Sequence, residues 1–334
     1  MTLPKSDGRR RNPLEIGRGR APLFHLPTGI FRSAAFVLLA ALFLTAPAVV
    51  AQQNGHYLQG ITGLDDGTAP PPGIYFTYLP YLNLVNAFKG PNGDTLENLD
   101  LNIVVHNAVF QVTTRKKFLG ATYGFSVLVP IVNTRLEGED VTPSMQSAGL
   151  SDVYFAPVIL GWDKGKATYL VNCGFYAPTG KFNQSAPFNP GLGFWEEQIQ
   201  AGMTYNFDKA KRWNASVLST WEINQGKQSR DLKPGPMATF EYSFGRRFLH
   251  GGINVGAAGF AYQKLSADTG GAVNPAVRGN LDRAFGLGPE FKIVNPKYHV
   301  AVDVRYEPQF GVQSRTSGNI VVISLTYLRF MAPK

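Results

Sequence analysis

The side chains able to do chemistry in this chain are few, and their spacing argues against catalysis. His56, His106, His250 and His299 are scattered, with no nucleophile elbow, His-Glu-x-x-His, Cys-x-x-Cys or phosphate-binding loop beside them. His299 and Asp303 share one face of a predicted strand, but four residues of extended chain hold them about 13 Å apart. That is too far for a proton relay. A histidine-dependent hydrolase has no anchor here, so the chain reads as a non-enzyme with no cofactor and no metal centre. Glu137, Glu139 and Asp140, in one predicted loop, come nearest to a cation cluster. They could hold a divalent ion bridging lipopolysaccharide phosphates, although a solvated acidic loop explains them better.

A second set of groups does electrostatic work instead. Glu222, Glu241, Glu290, Lys292, His299, Asp303, Arg305 and Glu307 all fall on the polar face of segments whose other face is apolar. Unpaired in a dry core, such charges are very costly; along a hydrated lumen they are not. They are therefore expected to line a path and set the field within it. The alternative is a soluble two-layer sheet with its charged face in bulk water.

The elements that must position these groups alternate with a period of two. In "RWNASVLSTWEINQ", Trp213, Ala215, Val217, Ser219, Trp221 and Ile223 lie on one side, and Asn214, Ser216, Leu218, Thr220, Glu222 and Asn224 on the other. "YHVAVDVRYE" places Tyr298, Val300, Val302, Val304 and Tyr306 opposite His299, Ala301, Asp303, Arg305 and Glu307. Eight residues span about 26 Å of strand, or about 20 Å along the normal at a tilt of about 40°. Trp213 with Trp221, and Tyr298 with Tyr306, would then sit near the two edges of an apolar band about 25 Å tall, where aromatic rings gather. "LNIVVHNAVFQV" and "NIVVISLTYLRF" are apolar on both faces, so either part of the interior is apolar or the register there differs.

Twelve such strands are expected, beginning near Ile74, Leu99, Gly120, Ser151, Lys166, Phe194, Arg212, Pro236, Phe248, Arg283, Lys297 and Asn319. The breaks between them alternate. Long ones such as "NAFKGPNGDTLEN", "TRLEGEDVTPSMQSAG" and "APTGKFNQSAPFNPGLG" are separated by short ones such as "WDKGK", "FGRR" and "NPK". Tight turns at one end and extended loops at the other are the habit of outer-membrane barrels. The fold class is thus all-β: a transmembrane antiparallel up-and-down β-barrel of about twelve strands. With strands about 4.8 Å apart, its backbone diameter is roughly 24 Å, leaving a lumen of about 10 Å at most. That admits a monocyclic aromatic and excludes folded protein.

Composition agrees. Charged residues make up only 16% of the 334, and past the N-terminus no apolar run approaches the roughly 18 residues of a membrane helix. Residues 1–51 read as a secretory signal peptide with a long basic leader, cut before Gln52. Seven Lys/Arg residues fall in that leader with Asp7 and Glu15, so the formal +9 drops to near +4 without it. A nucleic-acid partner is excluded. Cys173 is the single cysteine, so no intramolecular disulfide forms. Residues 52–72 are a Gly/Pro-rich segment assigned to the periplasmic side, with entry into the lumen as a small plug the other option. Residues 73–330 form the barrel and 331–334 a tail. Phe330 is similar to the terminal aromatic that barrel-assembly machinery reads, although "MAPK" follows it.

"GLSDVYFAPVILGW" (149–162), followed by "FYAPTGKF" (175–182) and preceded by "YGFSVLVPIV" (123–132), resembles the family named for the MetA pathway of phenol degradation. The distinctive part is Gly-x-x-Asp, then an aromatic and Pro-x-x-x-Gly-Trp; Ala-Pro-Thr-Gly is short. Ser151 stands where the family more often has glycine. The resemblance covers about Gly73 to Phe330. It implies an outer-membrane barrel of a Gram-negative bacterium and the passage of aromatic or other hydrophobic compounds, and it supplies no binding residues. The expected function is a passive channel, with outer-membrane lipids, lipopolysaccharide, the assembly machinery and a small solute as partners. The alternative is a structural or surface-interaction barrel with a closed lumen. The basic short turns (Arg115–Lys117, Lys209, Lys211, Arg246 and Arg247) are expected to meet anionic headgroups.

Overall fold

A computed structural model of the chain describes residues 49–50, 54–137, 144–183, 188–273 and 279–331. The expected signal peptide, apart from Val49–Val50, lies outside the described residues, as do Glu139 and Asp140 of the acidic loop. Twelve antiparallel strands make one closed sheet. They are β1 (Gly73–Lys89), β2 (Thr95–Phe118), β3 (Ala121–Glu137), β4 (Val153–Lys164), β5 (Ala167–Ala177) and β6 (Glu196–Asn206). They continue with β7 (Trp213–Asn224), β8 (Met237–Phe248), β9 (Ile253–Lys264), β10 (Arg283–Asn295), β11 (Val300–Gln313) and β12 (Thr316–Phe330). Each pairs with its sequence neighbours, and β12 returns to β1 through Phe330↔Gly73 to Thr316↔Phe88. Closure leaves no long unpaired edge, which is what hydrocarbon demands of a sheet. A short strand, Ser144–Leu150, pairs with the outer part of β3 and leads through Ser151 and Asp152 into β4.

The twofold alternation becomes inside and outside. On β7 every even-numbered position from Asn214 to Asn224 is buried, while Trp213 and Trp221 point outward at 39% and 40% exposure. Phe240, Phe244, Val302, Val304 and Tyr306 lie on the outer faces of β8 and β11 in the same way. The tight turns share one rim: Leu119–Gly120, Gly165–Lys166, Phe207–Arg212, Leu249–Gly252 and Pro296–His299. Leu119 and Gly120 have φ of 51° and 75°, the two left-handed residues of a hairpin turn that follows sheet twist.

Three sequence expectations change. The alternation of long and short breaks fails twice at the loop end: Ser314–Arg315 is a two-residue turn, and β1 and β2 extend so far that only Gly90–Asp94 remains of the first long loop. β1, β2 and β3 have 17, 24 and 17 residues against 11 or 12 in β4 to β9, so one side of the wall stands taller. Second, Tyr298 and His299 belong to the Pro296–His299 turn, not to a strand. His299 has φ of 58° and is exposed at the rim, so it does not line the lumen. Tyr298, 65% exposed, lies beyond the strand whose other end was to be marked by Tyr306. Proline at 296 cannot extend the β10 ladder, and the chain reverses there before Val300 resumes the alternation. Third, residues 54–72 are not a free periplasmic segment: they lie inside the barrel.

Candidate functional site inside the barrel

The inner wall has two chemistries. Inner positions from Leu101 to Thr113 of β2 pair with inner positions of β3 down to Gly124, and none is charged. Tyr81, Val105, Ile320 and Val322 from β1, β2 and β12 join Phe260 and Tyr262 of β9 in one buried apolar cluster, with Ile103 and Val132 packed against it. The doubly apolar segments of the sequence thus mark a truly apolar stretch of interior, with no change of register. Around the ring, β6, β7, β8, β10 and β11 turn Glu196, Glu222, Glu241, Glu290, Arg305 and Glu307 inward, each almost wholly buried.

Residues 54–72 run between these walls and satisfy much of that charge with their own backbone. Beginning at the loop end, the Tyr57 N–H donates to Glu222 Oε1 at 3.1 Å, and the hydroxyls of Tyr57 and Thr62 donate to Glu241. The Leu64 N–H donates to Glu290 at 2.8–2.9 Å. Arg305 donates to the Ile61 carbonyl at 3.1 Å and Lys292 to that of Leu64 at 3.0 Å. Tyr81, on the apolar side, donates its hydroxyl to the Gln59 carbonyl at 2.9 Å. Near the short turns Arg247 pairs with Asp65. The segment has no regular secondary structure, so its unpaired backbone groups need such partners; buried without them they would be costly. Glycines make the close approach feasible: a Cβ at Gly67 would fall 2.1–2.4 Å from the Met203 backbone.

At the loop end a histidine fastens the segment. His56 Nδ1 lies 2.9 Å from Glu196 Oε2, and Nε2 lies 2.8 Å from Asp152 Oδ2. Its ring stacks on Tyr176 at 4.6 Å. His56 and Asp152 belong to no strand. Burial alone would lower the His56 pKa, but Glu196 and Asp152 outweigh it and lift it to about 9. Burial pushes the Asp152 carboxyl up, but the bonds from His56, Leu192 and Gly180 win and hold it below its usual range. Asp152 is the acid of the Gly-x-x-Asp stretch, and Gly180 is the glycine of Ala-Pro-Thr-Gly. The Gly180 N–H donates to Asp152 at 2.8 Å, and the Thr179 hydroxyl bonds the Ser151 carbonyl at 3.2 Å. The two motifs meet on the residue that grips His56.

Beside the segment, at the loop end, a cavity of about 270 Å³ lies between residues 54–61 and the apolar wall of Ile103, Val105, Leu128 and Val132. Asn83 and Arg315 also line it; among the described residues Asn83 Oδ1 and Arg315 Nε have no hydrogen-bond partner. Apolar walls with a few polar atoms are the makeup of a small-molecule pocket.

Of the eight ionisable residues expected along the lumen, Glu222, Glu241, Glu290, Asp303, Arg305 and Glu307 are buried inside and Lys292 is half-buried there. Arg305 draws Glu290 and Glu307 together at 3.7 and 3.6 Å. Glu137, expected in the acidic loop, is the last residue of β3 and pairs with Arg135 at 2.6 Å. Sequence reasoning missed His56, Asp152, Glu196 and Arg315. Glu196 shares the polar phase of Gln198 and Gln200 and could have been found; His56 sits in a stretch without periodicity and could not.

A family model described as MetA-pathway of phenol degradation matches residues 86–325. Among solved structures, the COG4313 outer membrane channel from Pseudomonas putida F1 is similar with a TM-score of 0.65 at 12% identity, covering 79% of this chain and 98% of that one. The β domain of the Bordetella autotransporter BrkA aligns with a TM-score of 0.47 at 12% identity, over 77% and 99% of the two chains. No curated protein matches the chain.

Proposed function

We propose, for a chain that belongs to the family described as MetA-pathway of phenol degradation, that it is an outer-membrane channel for small apolar or aromatic solutes, held shut by its own residues 54–72. The observation that carries this reading is the divided interior. A barrel serving only as a scaffold has no need of an apolar wall beside a cavity of about 270 Å³ within a lumen otherwise rich in carboxylates. In the proposed cycle a solute enters at the loop end and packs against Ile103, Val105 and Leu128. It presents any hydroxyl to Asn83 and moves on when the segment shifts. The charged wall holds the segment and sets the field that ions meet. Short turns face the periplasm, loops face outside towards lipopolysaccharide, and the barrel-assembly machinery inserts the chain.

Planar-bilayer conductance and liposome swelling test the proposal. The unaltered chain is expected to conduct weakly. His56→Ala combined with Glu196→Gln, which unfastens the loop end of the segment, is expected to raise conductance several-fold and to admit a neutral monocyclic aromatic. A second reading, a closed barrel whose loops bind something outside, draws support from the number of buried bonds that fix the segment. Silence from the double variant, with a normal heat-dependent shift in gel mobility, would favour it.

A further inference from the structure

We propose that the outward face of β7 and β8, beside the Phe207–Arg212 and Leu249–Gly252 turns, binds the phosphate of an anionic glycerophospholipid, with Arg246 as its main contact. Arg246 and Arg247 are adjacent, and the strand sends them in opposite directions. Arg247 turns inward to Asp65, to Asn206 and to the Lys211 carbonyl. Arg246 shares the outer face with Phe244 and Phe248 and is exposed.

Its surroundings are aromatic. The guanidinium carbon lies 5.0 Å from the Trp213 ring and 4.9 Å from that of Phe248, and Trp213 stacks on Phe244 at 5.5 Å. Arg246↔Trp213 is the last pair of the β7–β8 ladder before the turn. A cation facing lipid is tolerable only there, at the edge of the apolar band. The rings hold the guanidinium at the edge of the apolar band, and its N–H groups form the fork that matches phosphate oxygens.

Three of the nearest cations are compensated, and this one is not. Lys211 has Asp163 at 3.9 Å, Arg212 has Asp208 at 2.9 Å and Arg247 has Asp65. Among the described residues, Arg246 and Lys209 have no carboxylate within ion-pair distance. Both also reach the lumen mouth, where a cleft of about 860 Å³ between the two turns is lined in addition by Asp163 and by the inward-facing Thr68, Thr168 and Asn206. Lys116, Lys164, Lys166 and Lys297 sit on the same rim and raise its potential further. A net-anionic lipid supplies the missing charge at the depth where the aromatic rings already sit. This inference needs the transmembrane barrel but not the transport proposal, and can fail or stand without it.

The test is native mass spectrometry of the detergent-solubilised chain titrated with phosphatidylglycerol or with phosphatidylcholine of the same acyl chains. The wild type is expected to prefer phosphatidylglycerol. Arg246→Gln is expected to bind it roughly fivefold more weakly, while Arg212→Gln, whose cation Asp208 already compensates, stays within about twofold of the wild type. Arg246 is exposed, so its variant should keep the heat-dependent mobility shift of a folded barrel. Unchanged binding in Arg246→Gln would overturn the assignment. So would equal binding of the two lipids by the wild type, or a preference for lipid A, which belongs to the other leaflet.

Discussion

The inner faces of β1 to β3 and of β6 to β8 are built from the same zigzag, yet they meet the lumen with opposite chemistry. On the first, Ile103, Val105 and Leu128 touch a cavity and ask for nothing but apolar company, and Tyr81 adds a single hydrogen bond to the Gln59 carbonyl. On the second, Glu196, Glu222 and Glu241 are buried carboxylates that need partners, and they find them on His56, Tyr57 and Thr62. The difference explains why the N-terminal segment is fixed where it is. It is fastened mainly by bonds to the charged staves, while the apolar staves, the Tyr81 hydroxyl apart, leave space beside it. One wall supplies retention and the other supplies room for a guest.

The contrast can be broken from either side. The largest effect is expected from Arg305→Ala, which strands Glu290 and Glu307 inside the barrel. Removing one partner of a buried ion pair costs about 3–5 kcal/mol, read as a lower temperature for the gel-mobility transition together with altered ion conductance. A variant as stable as the wild type and with unaltered conductance would mean that water already solvates this cluster.

The fastening of His56 comes next. Its pKa is raised in the folded chain to about 9 from the ordinary histidine value of 6.5. Its contribution is therefore present in full below about 6.5 and lost as pH rises through about 9. Conductance, or protease access to residues 54–62, should rise across that window in the wild type and stay flat in His56→Gln. Identical pH profiles would remove His56 from the mechanism.

The smallest change is the most selective. Ile103→Trp fills the cavity from the apolar side and touches no charge. It should weaken binding of a neutral monocyclic aromatic about tenfold, as expected when a small pocket is occupied, and leave the pH profile alone. Calorimetry on the solubilised barrel measures it.

How far the sequence revealed this depended on periodicity. Strands with one wet and one oily face, such as β7, were legible to within a residue or two because their alternation is sharp. The doubly apolar β2 and β12 were legible as strands but not as a chemically distinct wall, since a period-two pattern needs contrast to show its phase. Tyr298 and His299 continue the zigzag of Val300 to Tyr306 in letters while lying in a turn, and only Pro296 signals the reversal. Asp152 stood out as part of a motif, but its role needs His56, Gly180 and Leu192, which are brought to it across the fold. For residues 54–72 the sequence left the periplasm and the lumen both open, because much of what positions them is the hydrogen bonding of their backbone, and amide groups leave no mark in composition.

The course of that segment has a consequence for how the molecule is made. Residue 56 is held among the loops and residue 73 at the opposite rim, so the intervening stretch threads the ring from one mouth to the other. A finished hoop of twelve hydrogen-bonded staves is a poor needle's eye. The hoop is more readily drawn shut around a strand already laid across it than pierced afterwards, which makes sealing β12 onto β1 the step that traps the thread.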